Sequence, residues 1–103
     1  MPSRVNASAI PSDASRARKG LDGTARTLVL QFLLTAPSST IRDVVESTRI
    51  SPAAAGLALG DLEQLGYVKA DVAGPRKGRL VRYSAVRGAV TEDLEALTSW
   101  LLS

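Results

Sequence analysis

The sequence predicts a small α+β domain, mostly helical, with three helices, a two-stranded β-hairpin and a closing helix. Three observations carry this expectation. Apolar residues recur at helical spacing in four stretches, two short β-rich segments flank "AGPRKGR", and capping residues mark where helices start and stop. The chain of 103 residues, 45% hydrophobic and 22% charged, suits one core and is too short for two.

Residues 1–20, "MPSRVNASAIPSDASRARKG", are rich in Ser, Ala, Arg and Pro and have no aromatic residue or sustained periodicity. The expectation is a disordered basic tail, with the folded domain spanning 21–103. From Asp22 or Thr24 to Ala36 the pattern turns helical and is stopped by Pro37. Ala25, Leu28, Val29, Phe32 and Leu33 form a stripe able to bury against a core. Leu30 and Leu34 fall on the opposite side, so this helix needs cover on two faces.

In "SSTIRDVVEST", Thr40 and Asp43 have capping-box spacing, and Ile41, Val44 and Val45 share one face of a short second helix. Ile50 plugs the core in a tight turn. Ser51 then caps a third helix whose first position is Pro52, where a missing amide is harmless. Ala55, Ala58, Leu59, Leu62 and Leu65 face inward, and Gly66 ends the helix.

"YVKADV" and "LVRYSAV" read as the strands of a hairpin whose connection exceeds a two-residue turn. Thr91 caps the last helix, with Glu92 and Asp93 in a first turn that favours anions. Leu94, Leu97 and Leu101 form its buried stripe, Trp100 lies at the border and Leu102 on the far side.

With no cysteine and no histidine, disulfides, thiolate or imidazole metal sites, Ser-His-Asp triads and cysteine nucleophiles are excluded. No enzyme activity, metal or cofactor is expected. The longest apolar run, "LVLQFLLTA", is too short to span a membrane and the N-terminus has no signal-peptide core, so a cytoplasmic protein is expected.

The net charge of +3 is unevenly distributed: residues 74–90 carry five basic groups and no acid, and residues 91–103 carry three acids and no base. Residues 1–19 carry four basic groups and one acid. Basic charge confined to a tail and one loop suits an anionic partner such as nucleic acid, although each segment alone is also what a solvated surface carries. Arg16, Arg18 and Lys19 would make the tail either a DNA-binding arm or a plain solvated extension.

The order of elements resembles a winged helix-turn-helix domain. "LGDLEQLGYV" is similar to the end of the recognition helix and first wing strand of ArsR-type and MarR-type bacterial regulators, and "GRLVRYS" to their second wing strand. The resemblance covers roughly residues 24–102. It implies binding of double-stranded DNA, usually as a homodimer and usually in transcriptional control of the repressor kind. In the ArsR-type arrangement the first and last helices form the dimer interface, which assigns Leu30, Leu34, Leu97, Trp100 and Leu101 to it. The metal-sensing Cys and His of those families have no counterpart here.

Under that resemblance the third helix enters the major groove and the hairpin tip follows the backbone or enters the minor groove. Arg76, Lys77 and Arg79 supply the tip, while Arg42, Arg49 and Ser51 fall where phosphate contacts are expected. A helical wheel turns Ala53, Gly56, Leu57, Gly60 and Gln64 outward, flanked by Ala54, Asp61 and Glu63. Only Gln64 can pair with a base edge; Ala53 and Leu57 can touch thymine methyls. Three functions remain open: a regulator with modest base readout, a DNA-binding element of partition or replication acting through many copies, and a protein-binding module in which the basic wing is incidental.

Overall fold

The computed structural model describes residues 10–72, 74–76 and 78–103. Its elements are α1 (Ser12–Gly20), α2 (Thr24–Thr35), β1 (Ser39–Thr40), α3 (Ile41–Thr48), α4 (Pro52–Leu65), β2 (Val68–Ala70), β3 (Arg82–Ala85) and α5 (Arg87–Leu101). The strands form an antiparallel sheet of order β1-β3-β2, with Val68 opposite Ala85 and Ser39 opposite Tyr83.

The middle of the chain follows the local signals of its sequence. Thr40 and Asp43 close a capping box: Asp43 N–H donates to Thr40 Oγ1 at 3.2 Å and Thr40 N–H to Asp43 Oδ2 at 3.0 Å. The Thr40 N–H, followed by the Thr40 hydroxyl beside it, holds the Asp43 carboxyl below its ordinary range. Ser51 Oγ accepts the Ala54 N–H at 3.1 Å, with Pro52 opening α4. At the other end Gly66 has φ 82°, a left-handed conformation that glycine adopts without a Cβ penalty. Gly66 N–H reaches the Glu63 carbonyl and Tyr67 N–H the Leu62 carbonyl, at 3.0 and 2.9 Å. That pair of bonds is a Schellman termination, and it delivers the chain directly into β2.

The core gathers Val29, Leu30 and Leu33 from α2, Val44 from α3, Ala55, Ala58, Leu59 and Leu62 from α4, Tyr67 and Val68 from the hairpin, and Val90 from α5. Leu65 and Ile50 pack against it as half-buried residues. The inward face of α4 is thus the one its periodicity predicts.

Several expectations are corrected. The segment expected to be a disordered tail contains α1, which packs along α5, so folded structure begins well before residue 21. Residues 1–9 lie outside the described residues. The helix escapes a search for large apolar residues because its buried face is Ala14, Ala17 and Gly20, three small residues three apart. They allow close approach: a Cβ on Gly20 would stand 2.6 Å from Tyr67 Cε2.

On α2 the buried stripe is rotated from the expected one. Leu28 is exposed, whereas Leu30 is 3% exposed and half-buried Leu34 packs on the core. The second face of α2 is covered within the same chain: Leu30 shares the core with Val68 and Val90, and Arg87 at the start of α5 donates to the Leu34 carbonyl.

The last helix begins at Arg87 rather than after Thr91, and its buried residues are Val90 and Asp93. Leu94 and Leu101, expected inside, are exposed. The hairpin strands are shorter than their sequence segments, and Ser39–Thr40 adds a third strand that the sequence did not announce.

Candidate nucleic-acid interface

The outward face of α4 is the one the helical wheel draws. Ala53, Gly56, Leu57, Gly60 and Gln64 are exposed, and Ala54, Asp61 and Glu63 are half-buried flanks. Leu57 is 72% exposed, an isolated apolar knob between small neighbours. Gly60 has open space where a Cβ would stand, and Gly56 would meet only Ile41 Cδ1, at 3.9 Å. Packing within the chain therefore demands neither glycine.

Both acids of α4 are neutralised by arginines from other elements. Asp61 Oδ2 lies 2.8 Å from Arg26 Nη2 and accepts from Arg26 Nε at 3.0 Å. Glu63 accepts two parallel bonds from Arg76, Nη1 to Oε1 at 2.8 Å and Nη2 to Oε2 at 2.9 Å. This bidentate fork fixes orientation as well as distance. The Arg76 bond holds the Glu63 carboxyl below the usual carboxylate range, and the Arg76 guanidinium is pushed further above its own. Sequence reasoning assigned Arg76 to phosphate contact and left Glu63 a bystander; the structure joins them, tying the basic loop to the carboxyl half of α4. Opposite charges at positions 63 and 76 were the available signal, but pairing them needed the hairpin's path.

At the tip Arg79 N–H donates to the Arg76 carbonyl at 3.0 Å around Gly78, whose φ is 74°. Arg79 is exposed; Lys77 lies outside the described residues. Arg42 is exposed and pairs with Glu46 one turn on, at 3.3 Å. Arg49 closes α3 in the left-handed region at φ 61°, where its N–H donates to the Val45 carbonyl. Among the described residues neither Arg49 nor Arg79 enters an ion pair. Ser51 spends its oxygen on the helix cap and keeps its O–H free to donate.

The proposed arm residue Arg16 is occupied elsewhere. Its Nε donates to Asp93 Oδ2 at 3.0 Å, and Tyr67 Oη donates to the same oxygen at 2.8 Å. Burial, followed by that bond to Asp93, pushes the Tyr67 phenol above its ordinary range. Arg18 and Lys19 remain exposed in the last turn of α1.

Of the residues expected at a dimer interface, Leu30 instead lies in the core of its own chain, where it has almost no surface to offer a partner. Leu34 and Leu97 are half-buried, while Trp100 and Leu101 are exposed, followed by Leu102 at 81%. Among the described residues no group of His, Cys, Asp or Glu side chains converges to hold a metal ion. No described helix is long and apolar enough to cross a membrane.

Helix α3, a tight turn, α4 and a basic hairpin bound to α4 make the architecture a winged helix-turn-helix domain. Solved structures share it. The homodimeric winged helix-turn-helix DNA-binding domain of Mb0332 from Mycobacterium bovis, a possible ArsR-family transcriptional regulator, superposes with a TM-score of 0.63 at 21% identity, over 99% of this chain and 90% of that one. HlyU from Vibrio cholerae gives 0.64 at 17% identity, covering 96% of this chain and all (100%) of that one. ZitR from Lactococcus lactis, solved in complex with DNA, gives 0.50 at 25% identity over 82% of this chain, which spans 50% of ZitR. The sequence resemblance to ArsR- and MarR-type regulators is thus matched by the fold. No family model matches the sequence, and no curated protein matches it.

Proposed function

We propose that this protein binds double-stranded DNA as a homodimer and acts as a repressor-like transcriptional regulator in the bacterial cytoplasm, with no catalytic role. The observation that carries the reading is the bidentate Arg76–Glu63 clasp, which joins the basic wing to the recognition helix and offsets the charge of one of that helix's two acids. Arg26 neutralises the other. What faces outward is then an apolar, small-residue strip with exposed cations at Arg42, Arg49 and Arg79, a surface suited to a polyanion. Structures sharing the fold include a homodimeric DNA-binding domain and a DNA complex, which supports the same reading.

Dimerisation is assigned to the exposed carboxyl end of α5, where Trp100, Leu101 and Leu102 leave apolar surface uncovered. Trp100→Asp is expected to yield monomers in sedimentation; a monomeric wild type would contradict the assignment.

The central test is a titration of duplex DNA at several salt concentrations. Affinity should fall steeply with salt, the logarithm of the binding constant dropping by about 0.9 per phosphate neutralised for each unit of log salt. Replacing Arg76, Lys77 and Arg79 together by alanine should weaken binding across all sequences and flatten that slope. Absence of binding even at low salt would remove the proposal. Footprinting on the gene's upstream region separates a regulator, protecting one short operator, from a partition or replication element, protecting an array of repeats.

A further inference from the structure

A helix that enters the major groove ordinarily reads donors and acceptors on base edges. From Ala53 to Gly60 the outward face of α4 carries no side-chain donor or acceptor at all. Its one projecting group is Leu57, 72% exposed and covered by nothing among the described residues. The glycines on either side are not required by internal packing, and each costs a helix about 1 kcal/mol relative to alanine. Their effect is to lower the surface around Leu57 so that the helix backbone can approach a partner closely.

The frame of this strip is cationic. Asp61 and Glu63 are capped by Arg26 and Arg76, and Arg49 and Arg79 enter no ion pair among the described residues. An apolar strip within that frame matches a polyanion that carries apolar groups in its groove. The major groove offers one such group, the C5-methyl of a pyrimidine, which thymine always bears.

Resting on the DNA-binding reading above, we propose that Leu57 is the specificity-determining residue of this domain and selects DNA by apolar contact with pyrimidine C5-methyl groups, so that the preferred sites are thymine-rich where α4 lies. Ala53, one turn earlier, extends the same contact. Binding then depends on a methyl group that forms no hydrogen bond, and the wing supplies affinity without choosing the sequence.

The test begins with selection of tightly bound sites from a random duplex pool by the wild-type protein. The best site is resynthesised with deoxyuracil in place of thymine, which removes the methyl and leaves every hydrogen-bonding group. Wild type should lose about fourfold in affinity per contacted methyl, the worth of one buried methylene. In a parallel duplex, 5-methylcytosine placed at a deoxyuracil-sensitive step paired with guanine should recover part of the loss relative to cytosine. Leu57→Ala, at a position too exposed to disturb folding, should bind with nearly equal affinity to thymine and deoxyuracil duplexes and keep the wild-type salt slope.

Equal binding of thymine and deoxyuracil duplexes by wild type would overturn the proposal while leaving DNA binding intact. So would full discrimination retained by Leu57→Ala. Absence of duplex binding at low salt would overturn the DNA reading itself. A protein partner captured by wild type and lost on Leu57→Asp, with DNA affinity unchanged, would assign the strip to that partner and overturn methyl recognition.

Discussion

The two ends of this domain use the same chemistry, an arginine on a carboxylate, with opposite consequences. Where α1 meets α5, Asp93 is 5% exposed and accepts from Arg16 and from the fully buried Tyr67 hydroxyl, so one carboxylate joins two helices and the hairpin. At the wing, Glu63 and Arg76 are both partly open to solvent, with side-chain exposures of 24% and 37%. Burying a carboxylate makes every partner obligatory, because an unmet polar atom there has no water to turn to. Leaving one half-exposed makes its partner exchangeable, and a DNA phosphate can compete for Arg76 on equal chemical terms. The first clasp belongs to the fold, and the second to the DNA binding proposed above.

Perturbing each end should break or sharpen this contrast. The largest effect is expected for Asp93→Ala, which strands the buried Tyr67 hydroxyl and should cost about 2–3 kcal/mol in urea unfolding. A loss below that of an ordinary surface change would erase the distinction between the two clasps. Gly20→Ala and Gly60→Ala should move stability in opposite directions. The first drives a methyl into Tyr67 and should cost about 1–3 kcal/mol; the second fills open space and should raise stability by about 1 kcal/mol. If close approach of α4 matters for DNA, the stabilised Gly60→Ala protein should also bind more weakly.

pH separates the ends as well. The Tyr67 phenol, its ionisation opposed first by burial and then by its bond to Asp93, sits above the value it has when unfolded. Its contribution is therefore complete below about pH 10 and lost as pH rises past that point. The Glu63 carboxyl, held low by Arg76, acts the other way: its contribution is present above about pH 4.3 and fades as pH falls. Thermal melts should accordingly show an alkaline loss that Tyr67→Phe removes, with little acid effect from the wing clasp. The smallest stability change belongs to Glu63→Gln, within about 0.5 kcal/mol as for other partly exposed pairs. Its signature should appear in binding: Arg76 is released, affinity for all DNA sequences rises, and the salt slope steepens by about one phosphate.

The parts legible in the sequence were those written in local chemistry. Thr40 with Asp43, Ser51 with Pro52, and Gly66 each mark a helix boundary within a few residues of themselves, and the structure honours all of them. The outward strip of α4 was equally readable, because helical periodicity alone determines which residues share a face. What escaped was non-local or made of small residues. Helix α1 buries Ala14, Ala17 and Gly20, which contribute little to an apolar pattern. Asp93 looked like a first-turn anion because Thr91 looked like a cap; with α5 starting at Arg87, the same carboxylate lies inside the second turn and faces Tyr67. Leu28 and Leu30 exchanged places because a helix stripe is only as well located as its covering elements, and those are α3, α4 and β3, later in the chain.

The three-stranded sheet has a further consequence for how copies of this protein meet. β3 is paired on both sides, so its two open edges belong to β1 and β2, which are two and three residues long. Edges this short give an incoming strand too few backbone partners to template a growing ladder. The sheet thereby offers little purchase for fibrous aggregation, and association is left to surfaces with side chains to choose a partner.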